Sequence, residues 1–189
     1  MRRLTLFPVL IALFAVLTVA FFWRIALTDL ILARGDTFAY FYPYWHARDG
    51  ALAAGDLPLW TPDLFMGAPL LANLQLGTLY PPNWLTISLN TPDSVTVSII
   101  LHVLWAGIGT YLLARRALKV RTLPAIVAGV LFAFGGEIGS HVEQINQLQG
   151  MAWLPWMIWL LLAALQEPRR YLPWLGVAWG MQLLSGHTQ

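Results

Sequence analysis

Five apolar runs, separated by stretches that collect nearly all the charge, constrain this chain more than any other feature. Leu4–Trp23 contains no charged residue, and its length is about that needed to cross ~30 Å of hydrocarbon. Val95–Ala114 is interrupted only by His102 and small hydroxyl residues. Leu123–Gly136, Met151–Leu165 and Leu172–Ser185 are shorter, and reach span length only by extending into their flanks or packing against other helices. Of the 189 residues 58% are hydrophobic and 11% charged, against roughly 25% charged in an ordinary soluble domain. A small soluble enzyme and a disordered tail are therefore excluded. With no cysteine, so are a disulfide scaffold, a thiolate metal site and a thiol nucleophile. The net charge of +2 resides at the ends of the runs, which speaks for membrane orientation rather than nucleic acid.

The charges order the runs. Arg2 and Arg3 precede the first, Arg115, Arg116, Lys119 and Arg121 follow the second, and Arg169 and Arg170 follow the fourth. The positive-inside rule assigns that side to the cytoplasm. Only Arg24, Arg34 and Arg48 lie opposite, whereas every acidic residue except Glu167 falls in an outer segment. The expectation is an all-α integral membrane protein of about five transmembrane helices, N-terminus inside. Residues 1–23 form the first helix, 24–92 a large extracytoplasmic loop, and 93–189 the other four helices with a polar outer turn at 135–150. A cleaved signal peptide ending near Ala20 is the rival reading. The apolar run continues through Phe21, Phe22 and Trp23, which favours an uncleaved helix.

The first outer loop is aromatic throughout, with Trp45, Trp60, Trp84, Tyr40, Tyr42 and Tyr44 among its rings. Such side chains settle at the headgroup interface, where an apolar body and a polar tip are both satisfied. A helix is expected from Thr37 to Ala54, interrupted at Pro43, lying along the membrane surface. From Leu57 to Trp84, repeated Pro and Gly forbid a long regular element. Long irregular loops of this kind are usually functional. The second outer segment, Gly135–Gly150, is polar on all sides and must face water or a protein cavity. Ser140 followed by Glu143 has capping-box spacing, which predicts a helix from near His141 into the fourth span, with a kink at Pro155.

Several stretches resemble a known family. Gly35-Asp36, Tyr42-Pro43-Tyr44, the run from Leu57 to Gln75 and Leu79-Tyr-Pro-Pro-Asn-Trp-Leu are similar to the first outer loop of YfhO-like bacterial membrane proteins. Ser140–Gln147, Trp153-Leu-Pro-Trp and Leu184-Ser-Gly-His-Thr-Gln resemble that family's following segments, in the same order. The family resembles the GT-C class of glycosyltransferases, which take a sugar from a polyprenyl-phosphate carrier outside the cytoplasmic face. The resemblance thus implies a GT-C-like fold in the bacterial cytoplasmic membrane, with the bilayer, a polyprenyl-phospho-sugar donor and an envelope acceptor as partners. Family members are much longer, so this is expected to be the N-terminal portion of such an enzyme, with part of the donor site beyond Gln189.

In GT-C enzymes an acidic residue shortly after the first span aligns or deprotonates the acceptor hydroxyl, and the matching position is Asp36. Sugar transfer with inversion needs a carboxylate near the attacking oxygen, whereas phosphate leaves without protonation. The plainer reading is an Asp capping a helix that starts at Thr37. Spacing alone favours the cap; the resemblance favours the base. Asp29 is a second candidate that would otherwise only terminate the first helix. Arg34 is placed to meet a phosphate oxygen or to pair with Asp36 as a surface ion pair.

His141, Glu143, His46 and His187 share the outer side with Asp36 and together offer a site for a divalent cation. His141-x-Glu143 is not a helical i, i+4 pair, so a metal-free mechanism is expected and no cofactor is assigned. Gln144, Asn146 and Gln147 are candidate hydrogen-bonders to sugar or acceptor, or a polar lining. His102 is expected to be a hydrogen-bonded packing residue. The Trp residues from Trp153 to Trp159 are read as packing and interfacial groups. A non-enzymatic membrane protein, such as a transporter fragment or envelope-complex subunit, is the alternative. Transporters place ionisable sites at mid-membrane, whereas here the polar residues gather at the outer face. No Gly-rich phosphate loop, nucleotide motif or Gly-x-Ser-x-Gly elbow is present.

Overall fold

The computed structural model describes residues 6–187. Arg2, Arg3, the start of the first run at Leu4, and Thr188-Gln189 of the closing motif lie outside the described residues. The first run forms α1 (Leu6–Phe21), followed by a short α2 (Trp23–Leu27). A π-helical turn, Thr37–Phe41, leads into α3 (Tyr42–Ala53). Pro43 therefore does not interrupt the helix. Its ring would collide with a carbonyl one turn back and its nitrogen has no proton to donate. The backbone widens just before it instead, with Tyr42 N–H bonding to the Thr37 carbonyl.

The Pro- and Gly-rich stretch holds only short elements. β1 (Trp60–Thr61) pairs antiparallel with β2 (Ala68–Pro69), Trp60 opposite Pro69 and Thr61 opposite Ala68. A 3-10 turn at Leu74–Leu76 and α4 (Pro81–Trp84) follow. The long helix α5 (Thr91–Leu112) starts at Asn90, whose side chain accepts from Asp93 N–H at 2.9 Å, and ends in a second π turn, Leu113–Ala117. Then come α6 (Thr122–Ala133), α7 (Gly136–Ser140), α8 (Ile145–Ala164) and α9 (Pro168–Leu184).

Two helical stretches among the described residues are long and apolar enough to cross a membrane, Thr91–Ala117 and Thr122–Ser140. The third run reaches that length only because the helix resumes at Gly136 after a break at Phe134 and Gly135. The α1 segment Phe7–Phe21 is apolar but shorter. α8 carries Asn146, Gln147 and Gln149 in its first turns, and α9 opens on Pro168-Arg169-Arg170.

α5 is the hub, with α1, α6 and α8 packed against it and α9 against α8. Phe14 of α1, 1% exposed, is wedged where Gly107 of α5 and Gly129 of α6 leave room. A Cβ at either glycine would come within 2.9 or 2.6 Å of its ring. The outward faces are apolar: Val9 and Val16 on α1, Leu123 and Leu131 on α6, Trp174 and Trp179 on α9 are all exposed. Thr96, Ser98, His102 and Gln149 are buried between helices. Apolar outside and polar inside is the arrangement of helices packed in lipid, where polar groups find partners within the bundle.

Two local expectations are corrected. α8 begins at Ile145 rather than near His141, and the Ser140–Glu143 capping box does not form. Ser140 Oγ donates instead to the Glu137 carbonyl at 2.9 Å, and the Glu143 side chain is drawn away by Arg34. Asp36 occupies the position before the π turn, but its side chain makes no capping hydrogen bond. Its backbone is already helical (φ −65°, ψ −25°), not the extended conformation in which a cap side chain can turn back on the first free N–H groups.

Candidate active site

The loop between α2 and α5 and the turn between α7 and α8 meet at one place. Thr37, fully buried, donates from Oγ1 to the Glu143 carbonyl at 2.9 Å. Next to it, Arg34 Nε lies 3.0 Å from Glu143 Oε1. Gly35 lies beneath this ion pair with φ +48°, and a Cβ there would stand 2.0 Å from Glu143 Oε2. Only a residue without a side chain both adopts that left-handed backbone readily and admits the carboxylate. Asp36 follows, exposed, with Gln144 Nε2 reaching its Oδ2 at 3.5 Å. Of the residues singled out in the sequence, Arg34, Asp36, Glu143 and Gln144 are thus brought together. Arg34 pairs with Glu143, and not with Asp36.

The others lie elsewhere. His141 Nδ1 donates to the Glu137 carbonyl at 2.8 Å, close to that residue's own carboxylate. Gln147 and His187 share a small cavity of about 120 Å³ with Gln182. Asn146 is buried. His46 faces Thr91 at 3.4 Å. Asp29 lines a different cavity, with Asp93 and Thr96. Among the described residues no three His, Asp or Glu side chains converge as a metal-ligand set.

Within the same loop lies a buried ion pair. Arg48 of α3 is 0% exposed, its Nε 2.7 Å from Asp49 Oδ1 and its guanidinium 4.1 Å from the centre of the Trp45 ring. A second nitrogen donates to the Leu76 carbonyl, which ties α3 to the 3-10 turn. Burial pulls the guanidinium pKa down, and Asp49 opposes that pull. An Arg-Asp dipeptide amid Trp45, Tyr44 and Phe41 was the available signal, since charge inside an aromatic cluster has to be paired.

A buried polar chain runs from the loop into the bundle. His102 Nδ1 donates to the Ser98 carbonyl at 2.7 Å, so its Nε2 accepts from the Tyr80 hydroxyl, also at 2.7 Å. The same hydroxyl accepts from Trp153 Nε1 at 2.7 Å. Burial raises the Tyr80 pKa, and the Trp153 donor works against it. Gln149 Nε2 reaches both Asn83 Oδ1 at 2.7 Å and Ser98 Oγ at 3.0 Å. His102 is thus a hydrogen-bonded packing residue. Gln149, which no spacing in the sequence sets apart from Gln144 and Gln147, holds the loop to α5 and α8.

The loop is therefore fastened to the bundle through Thr37, Tyr80 and Asn83, and the Asp36–Gln144–Glu143–Arg34 group sits at its rim. Compared with known proteins, residues 83–189 match the profile of a family described as dolichyl-phosphate-mannose-protein mannosyltransferase. No curated protein matches the chain, and no solved structure does. The match takes in Glu143, Gln144 and His187 and leaves Arg34 and Asp36 to its N-terminal side. It covers more than half of a mostly helical chain whose apolar faces point outward. This is a membrane protein of the GT-C-like glycosyltransferase class, and it belongs to the dolichyl-phosphate-mannose-protein mannosyltransferase family.

Proposed function

We propose that the chain is a YfhO-like part of a glycosyltransferase that takes a sugar from a polyprenyl-phosphate carrier and passes it to an envelope acceptor outside the cytoplasmic membrane. Asp36 is the base of this reading. It accepts the proton of the acceptor hydroxyl as that oxygen bonds to the sugar's anomeric carbon. The anomeric carbon–oxygen bond to phosphate breaks, and its electron pair leaves with the polyprenyl phosphate. Arg34, held by Glu143 yet largely exposed, meets the phosphate with its remaining donors. Gln144 orients the Asp36 carboxylate; Gln147 and His187, in their separate cavity, and His141 and Asn146 take no part at this carboxylate.

The observation that carries this reading is the condition of Asp36. A carboxylate used for capping or for an ion pair with its neighbour Arg34 would have its charge spent locally. Asp36 does neither, and among the described residues keeps only the long contact to Gln144. Five spans with the N-terminus inside would put this rim on the outer face, where a lipid-linked sugar is presented. The test is sugar incorporation in membranes holding the full-length protein and a radiolabelled polyprenyl-phospho-sugar. Loss in Asp36→Asn at unchanged protein level is expected; wild-type incorporation by that variant would sink the assignment.

A further inference from the structure

Away from Asp36, an apolar cleft between α8 and α9 adjoins a polar pocket, and sugar transfer at Asp36 explains neither. The cleft has a volume of about 450 Å³, walled by Trp153, Trp156 and Trp159 on α8, Trp105 on α5 and Trp174 on α9. Trp105 and Trp156 stack at 4.0 Å, and Trp156 Nε1 donates to the Trp105 carbonyl at 3.0 Å, so this wall is built and rigid. Arg170 and Tyr171 line the cleft where α8 turns into α9. A second pocket of about 160 Å³ shares Trp159 and Tyr171 with it and adds Arg116, Gln166 and Glu167. An apolar volume edged by Arg170 therefore adjoins a small polar one lined by Arg116.

We infer that this composite cavity binds an anionic phospholipid, with an acyl chain along the tryptophans and the phosphate between Arg116 and Arg170. Charge complementarity selects the occupant. Among the described residues Arg116 meets no carboxylate within ion-pair distance. Arg170 reaches Glu167 at 3.4 Å, but both side chains are exposed, so the pair is weak and leaves guanidinium donors unused. Lys119, Arg121 and Arg169 stand in the same connecting segments, and Glu167 is the one acidic residue lining the pocket. Basic pockets between membrane helices are the usual seats of anionic headgroups, and indole rings suit the boundary between chain and headgroup. The inference rests on the membrane-protein reading and not on the identity of the transferred sugar.

The test is native mass spectrometry of the full chain released from neutral detergent after mixing with phosphatidylglycerol or phosphatidylcholine of matched acyl chains. Phosphatidylglycerol is expected to stay bound in preference to phosphatidylcholine. Arg116→Gln with Arg170→Gln should weaken it by roughly fivefold per cation, about 25-fold together. Arg116→Lys with Arg170→Lys should retain most of the binding, because the phosphate reads charge, and serves as the folded control alongside an unchanged circular dichroism spectrum. Equal retention of the two lipids, or unaltered binding by the Gln pair, would overturn the inference. So would a preference for polyprenyl phosphate over phosphatidylglycerol, which would give the cavity to the carrier. Sugar incorporation is not read in this experiment, so its outcome is separate from the fate of Asp36.

Discussion

Thr37 Oγ1 donates to the backbone carbonyl of Glu143 at 2.9 Å, and the hydroxyl that does so is fully buried. This contact joins the start of the α3 segment to the turn before α8, and it brings a base candidate and its hydrogen-bonding neighbour to the same rim. Without it, Asp36 would sit on a loop free to move relative to Gln144. Thr37→Val keeps the shape and removes the donor, leaving the rim less fixed. Sugar incorporation is expected to fall several-fold in Thr37→Val, with Thr37→Ser retaining most activity. The comparison of the two variants at equal membrane abundance is the readout.

Asp36→Asn should lower incorporation by about 10²-fold or more, the span typical of a lost general base. Its thermal midpoint in detergent should stay near wild type, since the side chain is exposed and caps nothing. A large fall in midpoint would recast Asp36 as structural.

Gly35→Ala places a Cβ against the Glu143 carboxylate at a backbone angle that L-residues rarely adopt. Such strain costs of order 1–3 kcal/mol, and Glu143 has to swing off Arg34 to make room. Both the melting midpoint and the rate should drop. Arg34→Ala should by contrast leave the midpoint nearly unchanged, because Arg34 is 79% exposed and surface pairs contribute only about 0–1 kcal/mol.

The Arg48–Asp49 pair behaves differently because it is buried. Arg48→Leu strands the Asp49 carboxylate and frees the Leu76 carbonyl, a loss of about 3–5 kcal/mol. Replacing both residues with apolar ones of similar size should recover much of that loss. Chemical denaturation of the single and double variants in detergent measures the difference.

Tyr80→Phe removes one hydroxyl that serves both His102 Nε2 and Trp153 Nε1. Each buried polar group left alone costs roughly 1–3 kcal/mol, so this one-atom change should destabilise far more than its volume suggests. Trp153 fluorescence and the melting midpoint report it together.

Much of the architecture follows from patterns local in the chain. Long continuous apolar runs satisfy their own backbone as helices where lipid supplies no hydrogen bonds, whereas barrel strands are shorter and alternate. Pro58, Pro62, Gly67 and Pro69 limit their stretch to two-residue strands and turns. A helix over Thr37–Ala54 was legible as well, whereas α7 and α8 leave only the short turn 141–144 of the polar stretch outside helix. Local pattern failed where a side chain had a choice of partner. Ser140 and Glu143 have the spacing of a capping box, but Glu143 had Arg34 within reach from another segment. Asp36 has the position of a cap, but the widened turn before Pro43 gave it a helical backbone.

The apolar runs therefore place the long helices, and the stretches between them place the polar residues. The tertiary structure alone decided which polar groups meet. Arg34 pairs with Glu143, Arg48 is buried over Trp45, and Tyr80 links His102 to Trp153. The physical reason is that hydrophobic periodicity is a one-dimensional signal about burial. A hydrogen bond needs two groups within about 3 Å and aligned, which depends on how distant elements are rotated against one another, and no spacing along the chain encodes that.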